Sequence, residues 1–470
     1  MNSRTSPGVL MLIGGATAED TDVIFDELIA HAGNEHSRIG VVSAAGDNPR
    51  KDADEAIALL TARGAKTEWI PVTSSDLGSG DDPRHAAHAR AMSGYLLTGG
   101  DQCRYIESMI APDGRDGAVL ASIRRRVAEG APLAGGSAGM QILAGHNMIT
   151  RGRSYPALLD GSRPGRFDTD ETLGHWPAGG FGFVTSGLVD THFDARGRHG
   201  RSIRLAADTG HARVYGVGED TALVVTGAGT TSESMRVLGS TGVSILDLRS
   251  ARAGEVDGHW SIQGVKWSYL TDGDTYAPTE WRVTKGAARF PVTPDDRRPR
   301  SASTDIFSPY ALLDTALDLA AAGAAAETTG TTLEQHPPFV VTLTKNPQFT
   351  PYSANGASAT SFTDLSLDIC CGFGSTRGRS KQGDGLNHAQ GNPDRTTHGE
   401  SPTPACPGTP SLGKDGVMSA NTSRRYPPEL RERAVRMVAE VREDHGSDWA
   451  WPRWLRIGTT ETLRKGGASG

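Results

Sequence analysis

The strongest constraint on this chain is a repeated unit: a short apolar run that stops at paired glycines, followed by a stretch with helical spacing. Val9-Leu10-Met11-Leu12-Ile13 runs into Gly14-Gly15, Tyr95 to Thr98 into Gly99-Gly100, and Pro132 to Ala134 into Gly135-Gly136. Short continuous apolar runs of this kind fit strands buried on both faces. Between them, Ile24, Leu28 and Ala32 share one face of a helix predicted over 19–32. Further helices are predicted over 52–63 and 119–129, each stopped by a glycine (Gly64, Gly130). Arg38 to Ser43 and Thr67 to Val72 read as two more strands. Strand–helix alternation over the first 225 residues predicts an α/β fold with a doubly wound, mostly parallel sheet. Ligands of such sheets bind at the carboxyl ends of strands, where all three glycine pairs fall.

From about 230 to 290 the pattern changes to short β segments (Val243 to Leu246, Trp260 to Ile262, Ser268 to Leu270) with Gly- and Asp-containing turns, a β-rich extension. A helix is predicted over 309–325 and a strand over 338–344. From Gly372 to Asn421 aliphatic residues nearly vanish among Gly, Ser, Thr, Pro and charge, a composition that predicts disorder. After Pro427-Pro428-Glu429 helical spacing returns (Leu430, Ala434, Met437, Val438, Val441). The expected domains are therefore 8–290, an extension 291–371 of unassigned role, a disordered linker 372–421 and a helical tail 422–470.

A net charge of −7 over 470 residues argues against a nucleic-acid binder as a whole. Cys103, Cys370, Cys371 and Cys406 have neither metal-ligand nor disulfide-framework spacing, so free thiols in a reduced compartment are expected. The run from Val9 to Ile13 is too short for a signal segment or membrane span, and no later run is longer and apolar enough. The expectation is a cytoplasmic protein without a membrane partner.

Gly135-Gly136-Ser137-Ala138-Gly139 lies between a predicted strand and an apolar helical stretch, Met140 to Ala144. That is the context of a nucleophile elbow, in which small neighbours let a strained turn raise the serine hydroxyl above the sheet. Taken alone, the motif is equally a Gly-rich packing turn. A serine needs a base. His192, in Asp190-Thr191-His192-Phe193, falls at the end of another predicted strand, although one histidine among 14 is more commonly structural. Glu219, in Gly218-Glu219-Asp220-Thr221, is the candidate to orient it. Arg196, Arg198 and Arg201 form a cluster able to clamp carboxylates, or a plain basic helix start. Gly99-Gly100-Asp101-Gln102 offers main-chain N–H groups and an amide.

In this order the pieces resemble the serine peptidase family that holds the cyanophycinases and the aspartyl dipeptidases, over roughly residues 8 to 290. The resemblance rests on Thr98 to Gln102, Gly136 to Gly139, Asp190 to Arg201 and Gly218 to Thr221, and leans toward the cyanophycinase branch. It implies a fold like the class I glutamine amidotransferases. It also implies a triad of Ser137 as nucleophile, His192 as base and Glu219 as orienting acid. Gly100 and Ala138 would supply the oxyanion hole, and Gln102, Asp190, Thr191, Arg196, Arg198 and Arg201 the substrate contacts. The implied substrate is a polyaspartate chain with arginines on its side chains, cleaved to β-aspartyl-arginine. No cofactor or metal is implied, and the resemblance points to a homodimer. Three positions depart from the family's pattern: Gly136 stands where threonine is usual, Thr191 where glutamine is, and the loop from Thr150 to Pro156 lacks a glutamate. These departures keep open a dipeptidase acting on another aspartyl or isoaspartyl peptide, or a catalytically inert member.

The segment Ser423 to Arg436 resembles the start of an insertion-sequence transposase, with the pattern degrading beyond Asp448. The expectation is that an insertion element interrupted the gene and left a readthrough tail without nucleic-acid binding.

Overall fold

The computed structural model describes residues 8–16, 22–287, 289–293, 302–323, 325–354 and 360–372. Five runs of the first half become β1 (Leu10–Ile13), β2 (Arg38–Val42), β3 (Lys66–Trp69), β4 (Gly94–Leu97) and β5 (Leu133–Gly136). They lie parallel in the order β3-β2-β4-β5-β1. Strand alternation sends Leu10 and Leu12 to one face and Met11 and Ile13 to the other. Both faces are apolar, so both need covering. Helices α1 (Asp22–Ala32) and α2 (Pro49–Ala62) pack Ile24, Leu28 and Leu60 on the Met11 face. On the Leu10 face lie α3 (Pro83–Arg90), α4 (Gln102–Met109), α5 (Ala118–Ala128) and α6 (Ala138–Gln141).

Helix α2 starts three residues before the expected Asp52, because Asn48 caps the Lys51 N–H at 3.2 Å and Pro49 takes the first helical position. The part of the first predicted helix that falls on 19–21 lies outside the described residues.

The expectation of a mostly parallel sheet needs correction: the sheets are mixed. Beyond β1 the first sheet continues through Thr221–Thr226, Ser234–Gly239, Thr275–Ala277 and Arg282–Thr284, each antiparallel to its neighbour. The reason is the connections. Thr226 and Ser234 are joined by a short loop, which permits only an antiparallel return, whereas parallel neighbours need a crossover. A second sheet begins with Leu188–Asp190 parallel to Arg213–Val217, linked by the helix His199–Thr209. It continues antiparallel through Gly242–Asp247, His259–Thr271, Ser361–Cys371 and Phe339–Ser353.

Residues on both sides of position 290 thus share one sheet. Its core gathers Phe193, Trp267, Phe339 and Phe362 with Leu312, Ala316 and Leu319 of the helix Ala311–Ala321. Each fully buried aliphatic or aromatic side chain of this kind contributes about 1.5–3 kcal/mol. The predicted linker and helical tail, 373–470, lie outside the described residues. Among the described residues no helix is long and apolar enough to cross a membrane.

Candidate active site

Five strand ends converge on one place. β1 delivers Gly14-Gly15, β4 delivers Gly99-Gly100, β5 delivers Ser137, Leu188–Asp190 delivers His192, and Arg213–Val217 delivers Glu219. Ser137 has φ 52° and ψ −114°, a backbone conformation that L-residues rarely adopt, and it stands between the last residue of β5 and the first of α6. Its Oγ lies 2.8 Å from Nε2 of His192. The other ring nitrogen, Nδ1, lies 2.7 Å from Oε1 of Glu219. A hydroxyl, an imidazole and a carboxylate are thereby joined in a single hydrogen-bonded line.

Main-chain groups hold that line in place. The Gly14 carbonyl accepts from the His192 N–H (2.9 Å) and from the Thr191 hydroxyl (2.6 Å), filling both its lone pairs. The Ile13 carbonyl accepts from the Ser137 N–H at 3.1 Å, and the Gly15 carbonyl from the Asp220 N–H at 3.1 Å. The Thr241 hydroxyl donates to the Glu219 carbonyl at 2.6 Å. Gly15, at φ +102°, passes so close to His192 that a Cβ there would sit 2.3 Å from the ring's Cε1.

The electrostatics suit a base that is neutral at neutral pH. Burial holds His192 below the usual histidine range; the Glu219 hydrogen bond opposes this, and Arg196 and Arg198 add to it. Burial would raise Glu219, but the His192 hydrogen bond and charge, with the same two arginines, hold it below the usual carboxylate range. The neighbouring Cys103 is buried and its thiol is pushed up to about 12 by that burial, so it offers no competing thiolate.

Above Ser137, a Cβ on Gly99 would lie 3.4 Å from the serine Cβ. Gly100 follows at φ +130°, where any side chain would strike the Ala45 carbonyl. Ala138 opens α6, so its N–H has no intrahelical partner. Gly100 thus follows the glycine that packs on Ser137, and Ala138 follows Ser137 itself in the chain.

The remaining expected contacts divide. Arg196 is exposed, and Arg198 is half-buried with Nη1 donating to the Thr191 carbonyl at 2.6 Å. Asp190, Thr191 and Arg201 require correction as substrate contacts, because they lie beneath the site. Asp190 has no exposed surface. Its carboxylate takes Arg201 in bidentate fashion (2.8 and 2.5 Å) and the Ser202 hydroxyl (2.6 Å), while Arg201 Nη1 donates to the Gly152 carbonyl (2.6 Å). Burial alone would raise Asp190; Arg201 outweighs it and the group is held low. The Thr191 hydroxyl is committed to Gly14. The Gln102 amide donates to the Ile149 and Thr150 carbonyls (2.7 and 2.9 Å), leaving only its oxygen for a ligand.

Thr241 and Ser202, parts of the site's framework, have no sequence signal that marks them, whereas the glycine pair at the end of β1 marks the place of Gly15. Among the described residues no group of three or more His, Cys, Asp or Glu could hold a metal ion.

No protein-family model matches the chain. It is 31% identical over 245 residues to the cyanophycinase of Trichormus variabilis, covering 52% of this chain and 74% of that protein. It is 30% identical over the same length to the cyanophycinase of a Nostoc species. A 52-residue segment is 62% identical to an uncharacterized 12.0 kDa protein of insertion element IS6110 from Mycobacterium tuberculosis, and the chain spans about half of that protein's length. A solved peptidase from an acI-B1 Actinobacterium is 18% identical, with 58% of this chain and 98% of that one covered, at a TM-score of 0.41. The chain belongs to the cyanophycinase family.

Proposed function

We propose that the protein is a serine peptidase that hydrolyses β-aspartyl-arginine units from an arginine-bearing polyaspartate through an acyl-enzyme. The observation that carries this reading is the line from the Ser137 hydroxyl through His192 to Glu219, with contacts of 2.8 and 2.7 Å. His192 takes the Ser137 proton as the oxygen attacks the scissile carbonyl. Glu219 fixes the tautomer that presents Nε2 as acceptor and stabilises the imidazolium that forms. The developing oxyanion is met by the N–H groups of Gly100 and Ala138. His192 then protonates the leaving amine and activates the water that releases the product. Arg196, Arg198 and the Gln102 oxygen are the proposed substrate contacts, the two guanidinium groups meeting carboxylates of the aspartate backbone.

The wider reading is that the paired sheets form a fold like the class I glutamine amidotransferases, over the domain 8–290 with its extension. It also includes a cytoplasmic location, a homodimer, and a tail 422–470 without a nucleic-acid role. A second reading, hydrolysis of a different aspartyl or isoaspartyl dipeptide, is favoured by one observation. The loop from Thr150 to Pro156 presents Arg151 and Arg153 and no carboxylate for a cationic side chain.

The test is incubation with the polymer and, in parallel, with a panel of aspartyl dipeptides, with products read by mass. Release of β-aspartyl-arginine that disappears in Ser137→Ala supports the first reading. Cleavage of dipeptides alone supports the second. Undiminished turnover in Ser137→Ala removes the serine from both.

A further inference from the structure

A groove of about 810 Å³ lies along the far end of α4 from the nucleophile, and none of the triad lines it. Its rim carries two large apolar side chains turned to solvent, Leu77 at 62% exposure and Trp176 at 36%. Its floor is the apolar side of α4 and the turn after it, Ile106 to Ala111. Three carboxylates line it, Asp81, Glu107 and Asp116, against one cation, Arg124. Arg124 is not available to a ligand anion, since it forks onto Asp116 at 2.6 and 3.0 Å and stacks over Phe183. Asp81 uses one oxygen to cap the Ala118 N–H (2.9 Å), and Glu107 is ion-paired with Arg166 (2.7 Å), so with that guanidinium counted the groove's three carboxylates stand against two cations and one net negative charge is left. Asp81 and Glu107 each keep a second oxygen uncommitted, and both residues are exposed.

The site and the groove are linked by one rigid element. α4 begins at Gln102, beside the Gly99-Gly100 turn over Ser137, and ends at Met109 on the groove floor. At 1.5 Å per residue the helix separates the two by roughly 10 Å, a span that three or four extended residues cross. A peptide held at Ser137 is therefore long enough to reach the groove only if it has several residues beyond the scissile bond.

We infer that this groove is a second binding site for a basic stretch of the peptide substrate, with a guanidinium stacked on the Trp176 ring and its neighbours meeting Asp81 and Glu107. The charge balance selects a cationic partner, and the exposed indole selects a planar, weakly hydrated cation over an ammonium. The inference rests on the peptide-substrate reading above and extends it to substrates longer than a dipeptide, for which the groove lowers KM by adding contacts remote from the reacting bond.

Binding of a fluorescein-labelled tetra-arginine peptide to the full chain carrying Ser137→Ala, read by fluorescence anisotropy, tests the groove without any turnover. Trp176→Leu is expected to weaken binding about fivefold. Asp81→Asn combined with Glu107→Gln keeps both existing hydrogen bonds and removes both charges; it is expected to weaken binding by a similar factor and to flatten its salt dependence. Fluorophosphonate labelling of Ser137, measured on the same substitutions in the otherwise native chain, should be unchanged. Unaltered tetra-arginine binding in both variants overturns the inference, as does light scattering that shows self-association lost with Trp176→Leu, which assigns the groove to a second copy. If the groove variants behave as expected while neither polymer nor dipeptide is hydrolysed, the groove stands and the catalytic reading falls.

Discussion

Gly15→Ala is the sharpest perturbation of the site, because it touches His192 without altering any group of the triad. A Cβ at Gly15 would lie 2.3 Å from His192 Cε1 and 2.6 Å from Nε2. Carbon atoms at contact stand about 3.5–4.0 Å apart, so the ring must withdraw by more than about 1 Å. The Ser137–His192 contact of 2.8 Å would then open to roughly 4 Å, beyond hydrogen-bonding range. Losing a positioned general base slows the reaction about 10²- to 10⁴-fold. The backbone at φ +102° adds a cost of about 1–3 kcal/mol for any residue with a side chain. The assay is the rate at which a fluorophosphonate labels Ser137, with a thermal melt beside it to separate misfolding from misplacement. Gly136→Ala is the matched control. Nothing lies within 4 Å of a Cβ there, and its backbone is ordinary, so labelling should stay within about twofold of the parent. Parent-like labelling in Gly15→Ala would refute the argument that the glycine packs the base onto the serine.

Three further outcomes follow from the charges. With His192 held below the usual histidine range by burial, the labelling rate should rise with pH along an acidic limb that lies below that of an ordinary histidine; Arg196→Ala removes a cation that lowers His192 and should move that limb to higher pH. Asp190→Ala leaves Arg201 buried and unpaired, and should cost about 3–5 kcal/mol in a denaturant melt with loss of the 191–201 segment's order. The third concerns Asp194, fully buried 3.4 Å from the equally buried His199, with neither side chain making a hydrogen bond. Burial pushes Asp194 up to about 8 and His199 down to about 3. Because the folded state holds the Asp194 proton that the unfolded chain releases, the destabilisation grows as pH rises from about 4 to 8. Asp194→Asn should therefore gain stability with pH over that range, by at most about 1.4 kcal/mol per unit, and hold it constant above. A pH-independent difference between the two would show that Asp194 does not titrate.

Much of the site was legible because its segments are short and its glycines are unusual. The pairs after β1, β4 and β5 mark strand ends, and all three border the serine. Ser137, His192 and Glu219, which the structure joins in one hydrogen-bonded line, could be singled out because each follows a strand-like run. Burial of the charged cluster was not legible. Asp190 and Arg201 are as polar in sequence as Arg196, and only the packing of the helix His199–Thr209 decides that one pair turns inward while the other arginine faces solvent. The antiparallel half of the first sheet was hidden because apolar runs do not state their direction. The strand Ser361–Cys371 was hidden by a break in its alternation. Buried Phe362 and Leu365 are three apart, with Asp364 between them at φ 57°, the signature of a bulge that period-two reading passes over.

The central claim is that Ser137 is the nucleophile, activated by His192 and Glu219. Intact-mass measurement after exposure to a fluorophosphonate at pH 7.5, followed by peptide mapping, tests it most directly. The expected result is one adduct per chain, on the peptide containing Ser137, absent from Ser137→Ala and strongly slowed in His192→Ala and Glu219→Gln. A folded protein that takes up no adduct, or takes it up on another residue, would contradict the account.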